Sequence, residues 1–136
     1  DLIQELHQTI PGLSIGADVI VGFPGETEEK FKGTYELIES LPLSYLHVFP
    51  FSKRKGTPAS QYAQVVDQAN ITQRAEAMRE LGKKKRRTFY SKFLHQELNV
   101  LVEERRDKES GRWKGFSQNY IPVRLTPEGI AGGNFD

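Results

Sequence analysis

The stretch from Ala17 to Phe31, ADVIVGFPGETEEKF, joins an apolar run to a Gly-Phe-Pro-Gly turn and an acidic helix start. A strand, a glycine-containing turn and a helix N-terminus in that order can bind an anion. A phosphate loop also needs a Lys-Ser/Thr pair after its last glycine, and Glu26-Thr27 stands there instead. The Glu26 carboxylate would repel phosphate, and the G-x-G-x-x-G spacing is missing. Two readings remain. One is a tight strand-to-helix turn with no ligand. The other is a ligand laid against the strand end, where parallel α/β folds bind theirs.

A second stretch, His47 to Ala59, HVFPFSKRKGTPA, closes the next apolar run. Phe49 and Phe51 could stack on a flat ring or belong to the core. Arg54 could pair with a carboxylate or phosphate, or be a solvated loop cation. A third feature is basic. Lys83, Lys84, Lys85, Arg86 and Arg87 are consecutive, so they wrap a helix and cannot all face one ligand. Arg105, Arg106, Lys108, Arg112 and Lys114 gather around one turn, with Trp113 and Phe116 among them. Cations with interleaved aromatics suit single-stranded or looped RNA. The competing readings are a solvated helix face for the first group and a core position for Trp113. His7, His47 and His95 lie far apart without carboxylates at ligand spacing, so no metal site is expected. No serine has a base at a useful spacing.

These residues need elements to hold them. Residues 2–9 read as a short helix closed by Pro11-Gly12. Ser14 to Val21 reads as a strand whose β-branched centre suits burial on both faces. Thr27 is the expected N-cap of a helix with Glu28 and Glu29 in its first turn. Its apolar positions are Phe31, Tyr35, Ile38 and Leu41, and Pro42 stops it. Tyr45 to Phe51 is the next strand. Strand, helix, strand with short connections make a βαβ unit, so the two strands should be parallel. Asn70 and Gln73 are a possible capping pair for a long helix that ends near Glu97 and carries the stripe Ile71, Ala75, Met78, Leu81, Phe89, Phe93. Gly82 is expected to weaken or bend it. Leu98 to Glu104 reads as a strand, and Trp113 to Leu125 as one or two more, broken at Gly115 and Pro122.

The bulk numbers frame this order. The 136 residues suffice for one domain or pieces of two, and 27% charged against 37% hydrophobic residues predicts a folded, soluble chain. No apolar run reaches the ~18–20 residues of a membrane span, and the N-terminus is no signal peptide. There is no cysteine, which excludes thiolate ligation of zinc or of an iron–sulfur cluster by these residues. Residues 1–66 hold five Lys/Arg against eight Asp/Glu, and residues 67–136 hold fourteen against ten. An anionic partner is therefore expected on the second part. A boundary is expected near Gln96, giving domains 1–96 and 97–136.

ADVIVGFPGETEEKF followed by LHVFPFSKRKGTPA resembles the later part of the radical S-adenosylmethionine domain of tRNA methylthiotransferases. The second motif looks most like the branch acting on N6-threonylcarbamoyladenosine beside the anticodon. Residues 97–136, with GFSQNYIPV, resemble the start of the TRAM domain that ends those enzymes. The implied fold class is α/β: the C-terminal part of a partial (β/α) barrel, then an incomplete small OB-like β-barrel. Radical S-adenosylmethionine enzymes often carry Gly-x-Ile-x-Gly-x-x-Glu on the first of these strands. Asp18 stands here at its first glycine, Ile20 and Gly22 match, and Glu26 falls one residue late. The resemblance implies that Ile20, Val21 and Gly22 lie near the cofactor's adenine, with the backbone of His47, Val48 and Phe49 flanking it; Asp18, Phe23, Glu26 and Arg54 complete the expected cofactor-binding set. Together with the charge and aromatic pattern above, the TRAM resemblance supports RNA contacts from Lys83, Lys84, Lys85, Arg86, Arg87, Arg105, Arg106, Arg112, Trp113 and Lys114.

The family's S-adenosylmethionine and two [4Fe-4S] clusters would act in a cytoplasmic full-length enzyme with tRNA and an electron donor as partners. This chain has no cluster cysteine. It is therefore expected to be a C-terminal fragment, with no catalytic or metal-binding residue of its own, inactive alone and prone to self-association at exposed strand edges. The rival readings are a non-catalytic RNA-binding module and the sister enzyme that methylthiolates a ribosomal protein.

Overall fold

The computed structural model describes residues 2–126. The chain divides into two compact units, the first ending at Ser91 and the second starting at Lys92.

In the first unit, helix α1 (Leu2–Thr9) precedes strand β1 (Gly16–Val21), helix α2 (Glu28–Ser40), strand β2 (Tyr45–Pro50), a 3-10 turn at Pro58–Gln61 and the long helix α3 (Gln68–Ser91). β1 and β2 pair in parallel, with Asp18 opposite His47 and Ile20 opposite Phe49. Thr27 caps α2 as its sequence predicts, its hydroxyl accepting from the Lys30 N–H. The core joins Val19, Val21 and Leu46 of the strands to Phe31 and Ile38 of α2 and to Ala75, Met78 and Leu81 of α3. Met78 is fully buried.

Both helices cover the same face of the two strands. The opposite face, with Gly16, Asp18, Ile20, His47 and Phe49, is exposed. This corrects the expectation of a strand buried on both faces. Asp18 marks the open side in the sequence, but Ile20 beside it is as apolar as the core-facing Val19 and Val21, which blurs the alternation.

α3 also departs from expectation in three ways. Its first turn is capped by Asp67, whose carboxylate accepts from the Ala69 and Asn70 N–H groups, and not by an Asn70/Gln73 pair. It stops at Ser91, where a turn follows and His95 takes a positive φ of 63°. It runs unbroken through Gly82, which instead lets the helix approach β2: a Cβ there would sit 3.3 Å from Leu46 Cβ.

The second unit is a three-stranded antiparallel sheet, β3 (Val100–Arg106), β4 (Trp113–Ser117) and β5 (Pro122–Leu125), in the order β3-β4-β5. β3 starts two residues later than Leu98. Gly115 does not break the strand. It is a buried mid-strand position where a Cβ would meet the Leu101 carbonyl oxygen and Val100 Cγ1, so only glycine permits the approach of β3. The break falls at 118–121, where Tyr120 adopts φ 61°. The mixed α/β class holds, with sheets of two and three strands and no closed barrel among the described residues. Residues 127–136, part of the expected TRAM piece, lie outside the described residues.

Candidate functional site: the carboxyl rim of β1 and β2

The chain leaves β1 through Gly22 and enters α2 at Thr27. Gly22 has φ +77°, a left-handed conformation that L side chains rarely adopt, and a Cβ there would collide with Ile71 Cγ1 of α3. The Gly22 N–H donates to Glu26 Oε2 at 2.7 Å, and the Gly25 N–H to the Gln64 carbonyl at 2.8 Å. The turn is thus tied to itself and to the segment before α3.

Arg74 on α3 reaches the same turn. Its guanidinium donates to Glu26 Oε2 at 2.8 Å, to the Glu26 carbonyl at 2.9 Å and to Glu28 Oε2 at 3.1 Å. It also lies over the Phe31 ring, 5.4 Å from the centroid. Arg74 and Glu26 side chains keep only 7% and 13% of their accessible surface, whereas Glu28 keeps 80%. The buried pair is therefore Arg74–Glu26, and Glu28 adds an exposed contact of small weight. Sequence reasoning missed Arg74. Its signal was available, since position 74 falls three residues after Ile71, within the apolar stripe that a cation does not ordinarily enter.

Beyond the turn, the rim is open. A cavity of about 410 Å³ is lined by Ile20, Phe49, Pro50, Phe51, Ser52, Arg54, Thr57 and Ala59. Ile20 and Phe49 are half-exposed there, and Phe23 packs edge-on to Phe51 and Tyr62 at 5.2 and 6.0 Å between centroids. The Phe51 N–H donates to the Val21 carbonyl, holding the two strand ends together. Of the sequence-assigned positions, Ile20, Phe49 and Arg54 meet at this cavity. Asp18 and His47 lie two residues further down the same open face. Val21 faces the core, Gly22 is buried, Val48 is half-buried against the core, Phe23 belongs to the aromatic cluster beside the rim, and the Glu26 carboxylate is engaged by Gly22 and Arg74.

Apolar walls, a ring-sized aromatic and one cation suit the purine and ribose of a nucleoside cofactor. An iron–sulfur cluster does not fit these residues. The chain has no cysteine, and among the described residues no group of three His, Asp or Glu side chains could hold a metal. No helix among them is long and apolar enough to cross a membrane.

The basic groups are partly engaged. Lys83 pairs with Glu80 at 2.6 Å and Lys84 with Glu39 at 3.3 Å. Lys85 donates to the Glu39 and Leu41 carbonyls, closing the C-terminal end of α2. Burial pushes the Lys85 ammonium below its ordinary pKa, against the opposing pull of Glu39. Arg86 and Arg87 are exposed.

In the second unit the Arg106 guanidinium lies 4.4 Å from the Trp113 ring centroid, and Arg105 and Arg112 are exposed. Asp107, which sequence reasoning passed over, organises their turn. The Ser110 N–H and then the Ser110 hydroxyl, helped by the nearby Arg124 and Lys114 charges, hold its carboxyl down to about 2 against the effect of burial. Lys114 and Arg124 approach its Oδ2 at 3.5 and 3.4 Å.

No family model matches the chain. It is 38% identical over 125 residues to the threonylcarbamoyladenosine tRNA methylthiotransferase MtaB of Bacillus subtilis (strain 168), covering 90% of this chain. It is also 38% identical over 128 residues to the tRNA-2-methylthio-N(6)-dimethylallyladenosine synthase of Protochlamydia amoebophila (strain UWE25), covering 91% of this chain. The chain belongs to the tRNA methylthiotransferase family. Matches over nine-tenths of the chain take in both the rim turn and the basic segments. The chain spans 28% of the length of each of these two relatives.

Proposed function

We propose that this chain forms the later part of a radical S-adenosylmethionine enzyme that methylthiolates C2 of N6-threonylcarbamoyladenosine beside the tRNA anticodon. The observation that carries the reading is the open cavity at the carboxyl ends of two parallel strands, in a chain that matches tRNA methylthiotransferases over nine-tenths of its length. In this reading Phe49 and Ile20 flank the adenine, and the backbone of Val21, Gly22 and Val48 edges the site. Arg54 pairs with the cofactor carboxylate, and Asp18 and His47 line the open face below. When bound there, S-adenosylmethionine supplies the radical chemistry. The cluster thiolates and the electron entry belong to other residues of the whole, cytoplasmic enzyme.

The tRNA grip is assigned to two basic groups. Arg86 and Arg87 with Lys83 and Lys84 contact phosphates from α3. Arg105, Arg106, Arg112 and Lys114 with Trp113 do so from the β-rich unit, which this reading takes as the start of a TRAM domain. Lys85 supports the helix end.

A segment exchange tests the reading. This chain replaces its matching segment in MtaB of Bacillus subtilis, and tRNA nucleosides are measured by mass spectrometry in cells that lack the native enzyme. Recovery of the 2-methylthio product of threonylcarbamoyladenosine is expected, and Phe49→Ala in the exchanged segment should abolish most of it. A folded, cluster-loaded hybrid that forms no methylthio product overturns the proposal. If the chain then still bound tRNA, the rival RNA-binding module would take its place.

A further inference from the structure

The geometry points to Arg74 as the positioning residue of the rim: through Glu26 it fixes the Gly22 turn, so Glu26 serves the nucleoside site by orienting backbone and not by touching the ligand. This rests on the nucleoside reading of the rim given above.

Glu26 stands close to the place where the family motif carries its glutamate, which suggests a ligand contact from sequence alone. In the fold its Oε2 atom accepts from two directions at once, from the Gly22 N–H at 2.7 Å and from Arg74 at 2.8 Å. Arg74 also binds the Glu26 carbonyl at 2.9 Å, so one guanidinium holds both the backbone and the side chain of the residue that closes the turn. Both contacts come from Nη1, while Nη2 reaches Glu28 Oε2, so the planar fork spans Glu26 and Glu28 together, a reach that a single ammonium nitrogen lacks.

The arginine is committed to this task. It is 6% exposed, and its Nε is buried without a hydrogen-bond partner. A buried cation with an unsatisfied donor is costly in water-free surroundings, and a surface cap for α2 would not require it. Its position is fixed in turn. Ile71, one helical turn earlier on α3, fills the space beside Gly22 that a side chain would need, and Ala75 and Met78 anchor the same helix in the core. The left-handed Gly22 therefore receives a steric wall from Ile71 and an electrostatic clamp from Arg74, both from one rigid element. Gly22 leads directly from the end of β1, whose Ile20 lines the cavity. A shift of this turn moves the strand end that forms one wall of the site.

The test compares the native chain with Arg74→Met, Arg74→Lys and Glu26→Gln. Exchange of the Gly22 amide is followed by NMR, and S-adenosylhomocysteine is titrated by calorimetry, both below the melting temperature of each variant. Arg74→Met should speed Gly22 exchange at least tenfold and weaken S-adenosylhomocysteine at least tenfold, with amides of α3 still protected. Arg74→Lys should recover part of both, which a purely volumetric role would not. Glu26→Gln keeps the shape and removes the charge, so it decides the matter should Arg74→Met fail to fold; a faster Gly22 exchange and weaker binding are again expected. Unchanged Gly22 exchange in a folded variant overturns the clamp. Faster exchange with unchanged binding overturns its role in the site. If the native chain takes up no S-adenosylhomocysteine, the nucleoside reading falls with any positioning role toward it, while Gly22 exchange still reports whether the clamp itself exists.

Discussion

Two turns in this chain are each built around one carboxylate, and they are stabilised in opposite ways. The 22–27 turn depends on a partner far off in sequence: Glu26 meets Arg74 across 48 residues, and both are buried. The 107–112 turn closes on itself. The Asp107 carboxylate accepts from the N–H and hydroxyl of Ser110, and the Asp107 N–H donates to the Arg112 carbonyl. The first turn has local bonds of its own, from the Gly22 N–H to the Glu26 carboxylate and from the Glu26 N–H to the Phe23 carbonyl, and the docked α3 adds the buried clamp. The second is closed mainly from within, with Lys114 and Arg124 of the neighbouring strands close to its carboxylate. A long-range clamp holds the rim beside the candidate nucleoside site, and a local turn presents the basic groups assigned to RNA. A nucleoside pocket needs fixed walls, whereas phosphate contacts tolerate small movements.

That contrast can be broken at several points. The largest effect is expected from Arg74→Met. Removing one partner of a buried pair leaves Glu26 uncompensated and should cost about 3–5 kcal/mol in the first unit, read from urea unfolding. Gly22→Ala should follow, at roughly 1–3 kcal/mol from its left-handed backbone alone, with the Ile71 collision adding to it. Either change should leave Ser110 amide protection in the second unit as it was.

Acid acts on the other turn. The Asp107 pKa is depressed to about 2, so its contribution is full above the ordinary carboxylate range near 4 and is lost as pH falls toward 2. NMR should show the Ser110 amide losing protection in that window, and Asp107→Asn should make it unprotected at neutral pH. The smallest change in stability is expected from Lys83→Gln with Lys84→Gln. These residues are about 72% exposed, and stability should change by no more than about 1 kcal/mol. If they touch phosphates, the same double variant should lower the salt dependence of tRNA binding measured by filter retention. An unchanged slope would remove α3 from the RNA surface.

The sequence was most legible where interactions are local. Thr27 as N-cap, the apolar stripe of α3 and the parallel βαβ order could be read directly, because caps and periodicities involve neighbours within a turn or two. The start of α3 was misplaced because Asp67 and Asn70 are both good capping residues, and only backbone geometry chose between them. Gly82 was read as a weak point of the helix and Gly115 as a break, yet each is a site of close approach by another element, Leu46 in one case and β3 in the other. The rim residues Ile20, Phe49 and Arg54 were named from the sequence, and the cavity brings them together. Arg74 was not named, since its partner is distant along the chain.

By itself the sequence determined the order of elements, the family and the lack of any thiolate for a cluster, because propensity, motif spacing and residue type are carried by the chain without regard to folding. Tertiary structure alone decided that Ile20 stays on an uncovered face and that Glu26 is turned away into a buried pair with Arg74. The reason is physical. Ile20 is as apolar as Val19 and Val21, so its exposure follows from the side on which the helices dock, and a carboxylate's task is set by whichever cation the docked helix brings to it.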